Sequence, residues 1–308
     1  MKIDHLTGLI AAPFTPMTAD GSLKLDRIPL YYRTLKTNRI RGAFINGTTG
    51  EGAALSLAEK KAVVEAWAAC VRNDPDFTLI TLVGGTCLQE CIELAQHARA
   101  QRLSGVAFLA PYYYKPASVH HLAEACIQVA GAVPDMPFYY YHIPSFTGCY
   151  FPMIDLLHAL DGKLDNLAGI KYTHEDFMDY LSCLRFRDGK YDLLAGRDEC
   201  LLAALALGAR AAVGSTYNYA APLYNRLMDA YAAGDLERAR ALQDRSIAMI
   251  RLLGKYGGIA VGKTFMRFIG LDCGDFRLPV ANPAPEAYAA FTADAESLGF
   301  GDLWSVVG

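Results

Sequence analysis

The sequence predicts an α/β fold, a (β/α)8 TIM barrel with a C-terminal helical extension. Three observations carry that expectation. Eight short apolar runs alternate with helical stretches, and after the eighth run only helical patterns follow. The distinctive polar residues fall at the carboxyl ends of the runs, where barrels of this type gather their chemistry. No Gly-x-Gly-x-x-Gly follows the first run, so the nucleotide-binding form of the competing doubly wound sheet lacks its usual signal. Alternation alone does not establish closure. The expected organisation is one domain, with the barrel over residues 1–233 and the extension over residues 234–308.

The first strand is Gly8-Leu9-Ile10-Ala11-Ala12, stopped by Pro13. Asp20-Gly21 marks a turn. Asp26 is placed to cap a helix over residues 27–37, with Pro29 tolerated in its first turn. Gly42 to Asn46 forms the second strand. Ser56-x-x-Glu59 reads as a capping box that opens the next helix through Val63, Trp67 and Val71. Strands follow at residues 78–85, 105–111, 137–144, 167–171, 193–196 and 211–216. Helices are expected at 88–102, 118–130, 153–160, 177–187 and 200–207. The closing helices are expected at 221–233, 235–256, 263–269 and 285–297, punctuated by Gly234, Gly257-Gly258 and Gly270.

The chain has 308 residues, 53% of them hydrophobic, enough for a large core. Its net charge of −3 and scattered basic residues predict no nucleic acid and no anionic membrane as partner. No apolar stretch is long enough to span a bilayer. Met1 to His5 lacks the apolar core of a signal peptide, so a cytoplasmic protein is expected. The eight cysteines are dispersed without a Cys-x-x-Cys pair and are expected as free thiols. Cys87 and Cys91 are expected on one helix face as small apolar residues rather than metal ligands.

Lys171 is the most informative residue. It ends the apolar run Leu167-Ala168-Gly169-Ile170, whereas most lysines here have polar neighbours. It is expected half-buried at a strand end, where desolvation lowers its pKa and yields neutral amine. A neutral amine can attack a carbonyl and form a Schiff base. The alternative is a lysine that snorkels to water. Gly47-Thr48-Thr49-Gly50-Glu51-Gly52 offers amides and two hydroxyls at the approach to a helix, a combination suited to a carboxylate. A plain turn is the alternative, and no Gly-Lys-Ser/Thr makes it a Walker A loop. Tyr139 and Tyr141 alternate to one side of their strand and Tyr140 to the other, as core. A tyrosine beside the lysine can shuttle protons. His142 is expected in a supporting or loop position, with no metal-ligand spacing around it. Asp198 and Glu199 follow the seventh strand and Ser215 ends the eighth. Tyr112-Tyr113-Tyr114 is an aromatic cluster of the kind found at interfaces.

With Gly47 to Glu51, Tyr141-His142-Ile143-Pro144 and Gly169-Ile170-Lys171 in place, the chain resembles the pyruvate-dependent Schiff-base aldolases, the family of N-acetylneuraminate lyase and dihydrodipicolinate synthase. The resemblance covers nearly the whole chain. Tyr139 to Pro144, Gly196-Arg197-Asp198-Glu199 and Gly214-Ser215-Thr216-Tyr217-Asn218-Tyr219 resemble the lyase branch. Where the synthases usually carry an arginine for their second substrate's carboxylate, this chain has Phe146. Arg197 falls at a position that varies among the lyases and bears on sugar preference.

The resemblance implies Lys171, Tyr141 and Thr48 as catalytic residues. Lys171 would form the Schiff base, and Tyr141 would take the β-hydroxyl proton with help from Thr48 and the bound carboxylate. Thr48 and Thr49 would hold that carboxylate. Thr173, Gly196, Asp198, Glu199 and Ser215 would bind sugar hydroxyls. The implied reaction cleaves N-acetylneuraminate to N-acetylmannosamine and pyruvate with no metal or organic cofactor. A homotetramer is implied, with Tyr113 crossing a subunit boundary to support the catalytic tyrosine. Other readings are cleavage of another 2-keto sugar acid, synthase-like condensation of pyruvate, or a non-catalytic sugar-acid sensor.

Overall fold

The computed structural model describes residues 4–308. Residues 1–3, which open the Met1–His5 segment expected not to be a signal peptide, lie outside the described residues. Eight parallel strands close into a barrel in chain order. They are β1 (Gly8–Ala11), β2 (Gly42–Ile45), β3 (Thr78–Leu82), β4 (Gly105–Phe108), β5 (Phe138–His142), β6 (Leu167–Tyr172), β7 (Asp192–Ala195) and β8 (Ala211–Gly214). Closure is made by β1 on β8, in register from Gly8 opposite Ala211 to Ala11 opposite Gly214.

The helices around the barrel are α1 (Ile28–Thr37), α2 (Leu57–Val71), α3 (Leu88–Ala100), α4 (Val119–Gly131), α5 (Pro144–Thr147), α6 (Met153–Leu160), α7 (Phe177–Arg185), α8 (Leu201–Leu207) and α9 (Tyr217–Ala232). They are followed by α10 (Leu236–Tyr256), α11 (Val261–Phe268) and α12 (Ala287–Ser297). Strand alternation divides the apolar side chains between two cores. Ile10, Phe44, Ile80, Tyr139, Tyr141 and Val213 fill the barrel interior. Phe108, Tyr140, Ile170 and Tyr172 face outward into the layer beneath the helices. Among the described residues, no helix is long and apolar enough to cross a membrane.

Local expectations hold where a short motif acts alone. Ser56 and Glu59 form the reciprocal capping box of α2. Asp26 does not cap α1. It sits in a 3-10 turn, Leu25–Arg27, that runs directly into the helix, so the Ile28 amide donates to the Leu25 carbonyl instead. The fifth strand ends at His142 because Pro144 opens α5. The helix expected from 221 begins at Tyr217, with a kink at Ala220 ahead of Pro222. Cys87 and Cys91 are not equivalent on one face: Cys87 is exposed at the start of α3, and Cys91 is buried.

Candidate active site

A register shift positions the lysine. Phe138 pairs with Leu167, but Tyr139 pairs with Gly169, so β6 carries one extra residue there. As a result Ala168 faces inward below the bulge. Above it Lys171 pairs with Tyr141 and also turns inward. Lys171 is not half-buried, as expected from sequence. It is 4% exposed, one residue short of the strand end. Its Nζ lies 4.2 Å from the Phe44 ring centroid and 4.1 Å from that of Tyr141. Burial pushes its pKa down to about 7, with the Asp198 charge opposing.

Tyr141 is also buried, and its ring meets Phe44 edge-on at 5.6 Å. Burial raises its pKa, and the hydroxyls of Thr48 and Thr173 oppose that rise. The pair thus combines an amine that loses its proton readily with a phenol that keeps its own, the separation an acid-base pair needs.

The 47–52 loop supplies Thr48, half-buried, and Thr49, buried. It is not the approach to a long helix: a 3-10 turn, Gly52–Ala54, follows, and α2 is capped by its own Ser56. The loop is held by amides of Glu51 and Gly52, which donate to the carbonyls of Thr48 and Gly47. Among the described residues, the amides of Thr48 and Thr49 make no hydrogen bond within the chain. No helix dipole stands behind these amides, and the Thr48 hydroxyl reaches Tyr141. Glu51, in the left-handed region at φ +58, anchors the loop. It pairs with Lys263 of α11 at 2.7 Å, both side chains buried, and accepts the Arg277 amide at 2.8 Å.

The expected sugar-binding residues gather at the ends of β6, β7 and β8. Thr173 and Gly196 touch: a Cβ on Gly196 would lie 2.0 Å from the Thr173 hydroxyl, so only glycine fits. The buried Thr173 hydroxyl has no hydrogen-bond partner of good geometry. Gly214 is required in the same way, with the Asp198 Oδ1 lying 1.8 Å from where its Cβ would stand. Asp198 is 5% exposed, and burial raises its pKa to about 6, opposed by the Thr216 hydroxyl. Its Oδ2 accepts from the Thr216 amide and hydroxyl, whereas Oδ1 makes no hydrogen bond of good geometry and has the equally unpaired Tyr217 hydroxyl as its neighbouring donor. Glu199 is half-buried and held by Arg197 at 3.1 Å, while Arg197 also pairs with Glu175. Ser215 is half-buried just beyond β8.

A cleft of about 470 Å³ opens at the carboxyl ends of β2 to β5. Of the expected site residues Thr48 alone lines it; Tyr112, Phe146 and Leu278 stand at other walls. Tyr113 is 76% exposed, so within one chain it does not reach the site. His142 ends β5, within the strand expected there. It is buried against Tyr172 at 5.0 Å and His174 at 5.5 Å, and burial pushes its pKa down to about 3.

Several contributors escape sequence reasoning. Phe44 supplies the ring beneath Lys171, and only its inward place in β2 hints at that. Lys263 and Thr216 act through partners more than 200 and 18 positions away, and no local pattern marks such pairings.

The pattern of the dihydrodipicolinate synthetase family matches residues 5–298. A rat N-acetylneuraminate lyase is 38% identical over 296 residues, covering 95% of this chain and 91% of the relative. The solved N-acetylneuraminate lyase of Proteus mirabilis superposes with a TM-score of 0.93 at 38% identity, over 96% of this chain and all of that one. The lyase structure from Aliivibrio salmonicida gives 0.93 at 35% identity, over 97% and 98% of the two chains.

Proposed function

The chain belongs to the dihydrodipicolinate synthetase family, and from that premise we propose a Schiff-base aldolase that cleaves N-acetylneuraminate to N-acetylmannosamine and pyruvate. One observation carries the mechanism: a buried lysine with its pKa near 7, its Nζ 4.1 Å from the Tyr141 ring on the neighbouring strand. At neutral pH about half of such amines are uncharged, against roughly one in three thousand at the ordinary lysine pKa. The lyase activity of relatives 35–38% identical over nearly the whole chain supports the substrate.

Neutral Lys171 attacks the C2 carbonyl of the open-chain sugar acid, and loss of water with uptake of one proton from solvent gives a protonated imine. Thr48, Thr49 and the free amides of their loop hold the C1 carboxylate. The C4 hydroxyl passes its proton to Tyr141, which hands its own to that carboxylate with Thr48 as a hydrogen-bonding neighbour. A raised phenol pKa suits this relay, since no free phenolate need accumulate. The C3–C4 bond breaks, its electrons pass into the imine as an enamine, and the aldehyde N-acetylmannosamine leaves. Protonation at C3 and hydrolysis release pyruvate and restore the amine. Thr173, Gly196, Asp198, Glu199 and Ser215 bind the sugar hydroxyls, which a site of paired polar groups distinguishes from their absence. The electron sink is the imine on Lys171 itself, so the chemistry calls on no metal or organic cofactor.

We further propose a homotetramer in the cytoplasm, where the eight free cysteines remain thiols. In it Tyr113, exposed in the single chain, supports Tyr141 of a second copy. Residues 234–308 are taken as an extension of the barrel domain, since α10 packs on α9 and Lys263 reaches the 47–52 loop.

The test is borohydride reduction in the presence of pyruvate, with the modified residue found by mass spectrometry. A stable adduct at Lys171 is expected; no adduct, or one at another lysine, overturns the mechanism. Pyruvate release is then compared between N-acetylneuraminate and shorter or deacetylated 2-keto acids. A faster rate on one of the latter moves the substrate assignment, and binding without turnover leaves a sensor.

A further inference from the structure

Behind Asp198 lies a line of buried hydroxyls that the chemistry above does not use. Thr216 Oγ1 is 2.6 Å from Asp198 Oδ2 and 2.6 Å from the Tyr224 hydroxyl of α9, which is 2.8 Å from Ser246 Oγ of α10. All four residues are buried. Each hydroxyl has one proton to give, and an ionised carboxylate only accepts. Thr216 therefore donates to Asp198, Tyr224 donates to Thr216, and Ser246 donates to Tyr224. Three O–H dipoles point in series at one carboxylate oxygen, each strengthening the next. Gln243, also on α10, donates to the Asp198 main-chain carbonyl at 3.2 Å and accepts the Leu202 amide at 2.9 Å. The backbone and one carboxylate oxygen are thus held from behind. The other oxygen, Oδ1, is buried and makes no hydrogen bond of good geometry; the Tyr217 hydroxyl, equally unpaired, is the donor beside the carboxylate. A carboxylate oxygen has two lone pairs, so Oδ1 keeps room for a donor from a ligand as well.

We propose that Tyr224, acting through Thr216 and braced by Ser246, is a positioning residue for substrate recognition: it holds Asp198 in its ionised form, so that Oδ1, beside the Tyr217 hydroxyl, can accept from a hydroxyl of the sugar acid. The inference rests on the reading of Asp198 as a sugar-binding residue. The Thr216 hydroxyl does lower the Asp198 pKa against the rise that burial causes. The groups facing Asp198 are Glu199 beside it, Lys171 and Tyr141 on the barrel strands, and Tyr217, Tyr219 and Tyr224 on α9. From α10, Gln243 and Ser246 reach this line of groups, and neither titrates in this range. Protonation of Asp198 would fall on Oδ1, since Oδ2 already accepts two donors from Thr216, and would turn the acceptor offered to the sugar into a donor.

The experiment uses Tyr224→Phe in the full chain, a change that keeps the ring packed on Tyr217 at 4.7 Å and removes one hydroxyl. KM for N-acetylneuraminate should rise about three- to tenfold, the effect of weakening one hydrogen bond to a charged group. The acid limb of kcat/KM should move to higher pH. Borohydride trapping of pyruvate, which has no polyol, should be unchanged. Thr216→Val should reproduce the effect, Thr216→Ser should restore it, and Ser246→Ala should give a smaller change of the same sign. A wild-type KM and acid limb in Tyr224→Phe overturns the proposal. So does a parallel fall in pyruvate trapping, which would mean general loss of packing. Should Tyr224→Phe fail to fold, the Ser246→Ala pH profile decides on the same terms. Asp198→Asn separates the two levels: if it leaves the sugar KM unchanged, the reading of Asp198 fails and this inference with it. If Asp198→Asn raises KM and Tyr224→Phe does not, only the relay fails.

Discussion

Replacing Lys171 by methionine should stabilise the protein while abolishing its chemistry. Lys171 is buried with its pKa pushed from 10.5 to about 7. At about 1.4 kcal/mol per pH unit, keeping a protonated amine there costs about 5 kcal/mol relative to the unfolded chain. Below pH 7 both states carry the proton and the whole cost is present. Between pH 7 and 10.5 the unfolded chain binds a proton that the folded one does not, so wild-type stability rises with pH across that window. Methionine is unbranched, similar in length and uncharged, and suits the apolar floor made by Phe44. Removing the positive charge also leaves Asp198 without a counter-charge, which offsets part of the gain. We expect Lys171→Met to be more stable by about 3 kcal/mol at pH 6, with the difference shrinking toward pH 10. Urea unfolding of both proteins at pH 6, 8 and 9.5 measures it. A variant that is less stable than wild type at pH 6, or a difference that does not change with pH, would refute the desolvation reasoning. The lysine would then be an ordinary solvated amine.

Tyr141→Phe should lower sugar-acid cleavage by about 10²- to 10⁴-fold, the contribution of one positioned proton carrier, while pyruvate trapping at Lys171 persists; loss of trapping as well would show that the phenol serves imine formation instead. Lys263→Met should destabilise the fold by about 3–5 kcal/mol in urea unfolding, because it leaves Glu51 buried without its ion partner. It should also raise the KM for the substrate through the loop that Glu51 anchors, and a variant of wild-type stability would remove that anchor from the account. Tyr113→Ala should reduce both turnover and self-association, judged by sedimentation against the 33.6 kDa monomer. A fully active monomer at micromolar concentration would sink the proposed sharing of the site between copies.

Much of this protein could be read from the chain alone, for a physical reason. Strand alternation, helix capping and turn chemistry act over a few residues, so Ser56 and Glu59, the apolar runs and the separation of Tyr140 from Tyr139 and Tyr141 are legible as local patterns. The unusual placement of Lys171 after an apolar run is also a local signal. The sequence could not say that Lys171 would be fully buried. That depends on the extra residue in β6 opposite Phe138 and Tyr139, a bulge that exists only once the two strands pair. Asp26 looked like a cap because nothing nearby revealed that a 3-10 turn would occupy its place. Pairings across long stretches of chain were decided by the tertiary structure alone. Glu51 meets Lys263, and Asp198 is held through Thr216 and Tyr224 by Ser246, because barrel closure and the packing of α10 on α9 bring those groups within hydrogen-bond reach. Hydrogen bonds and ion pairs tolerate only a few tenths of an ångström of error in distance, and spacing along a chain does not fix positions that closely between residues so far apart.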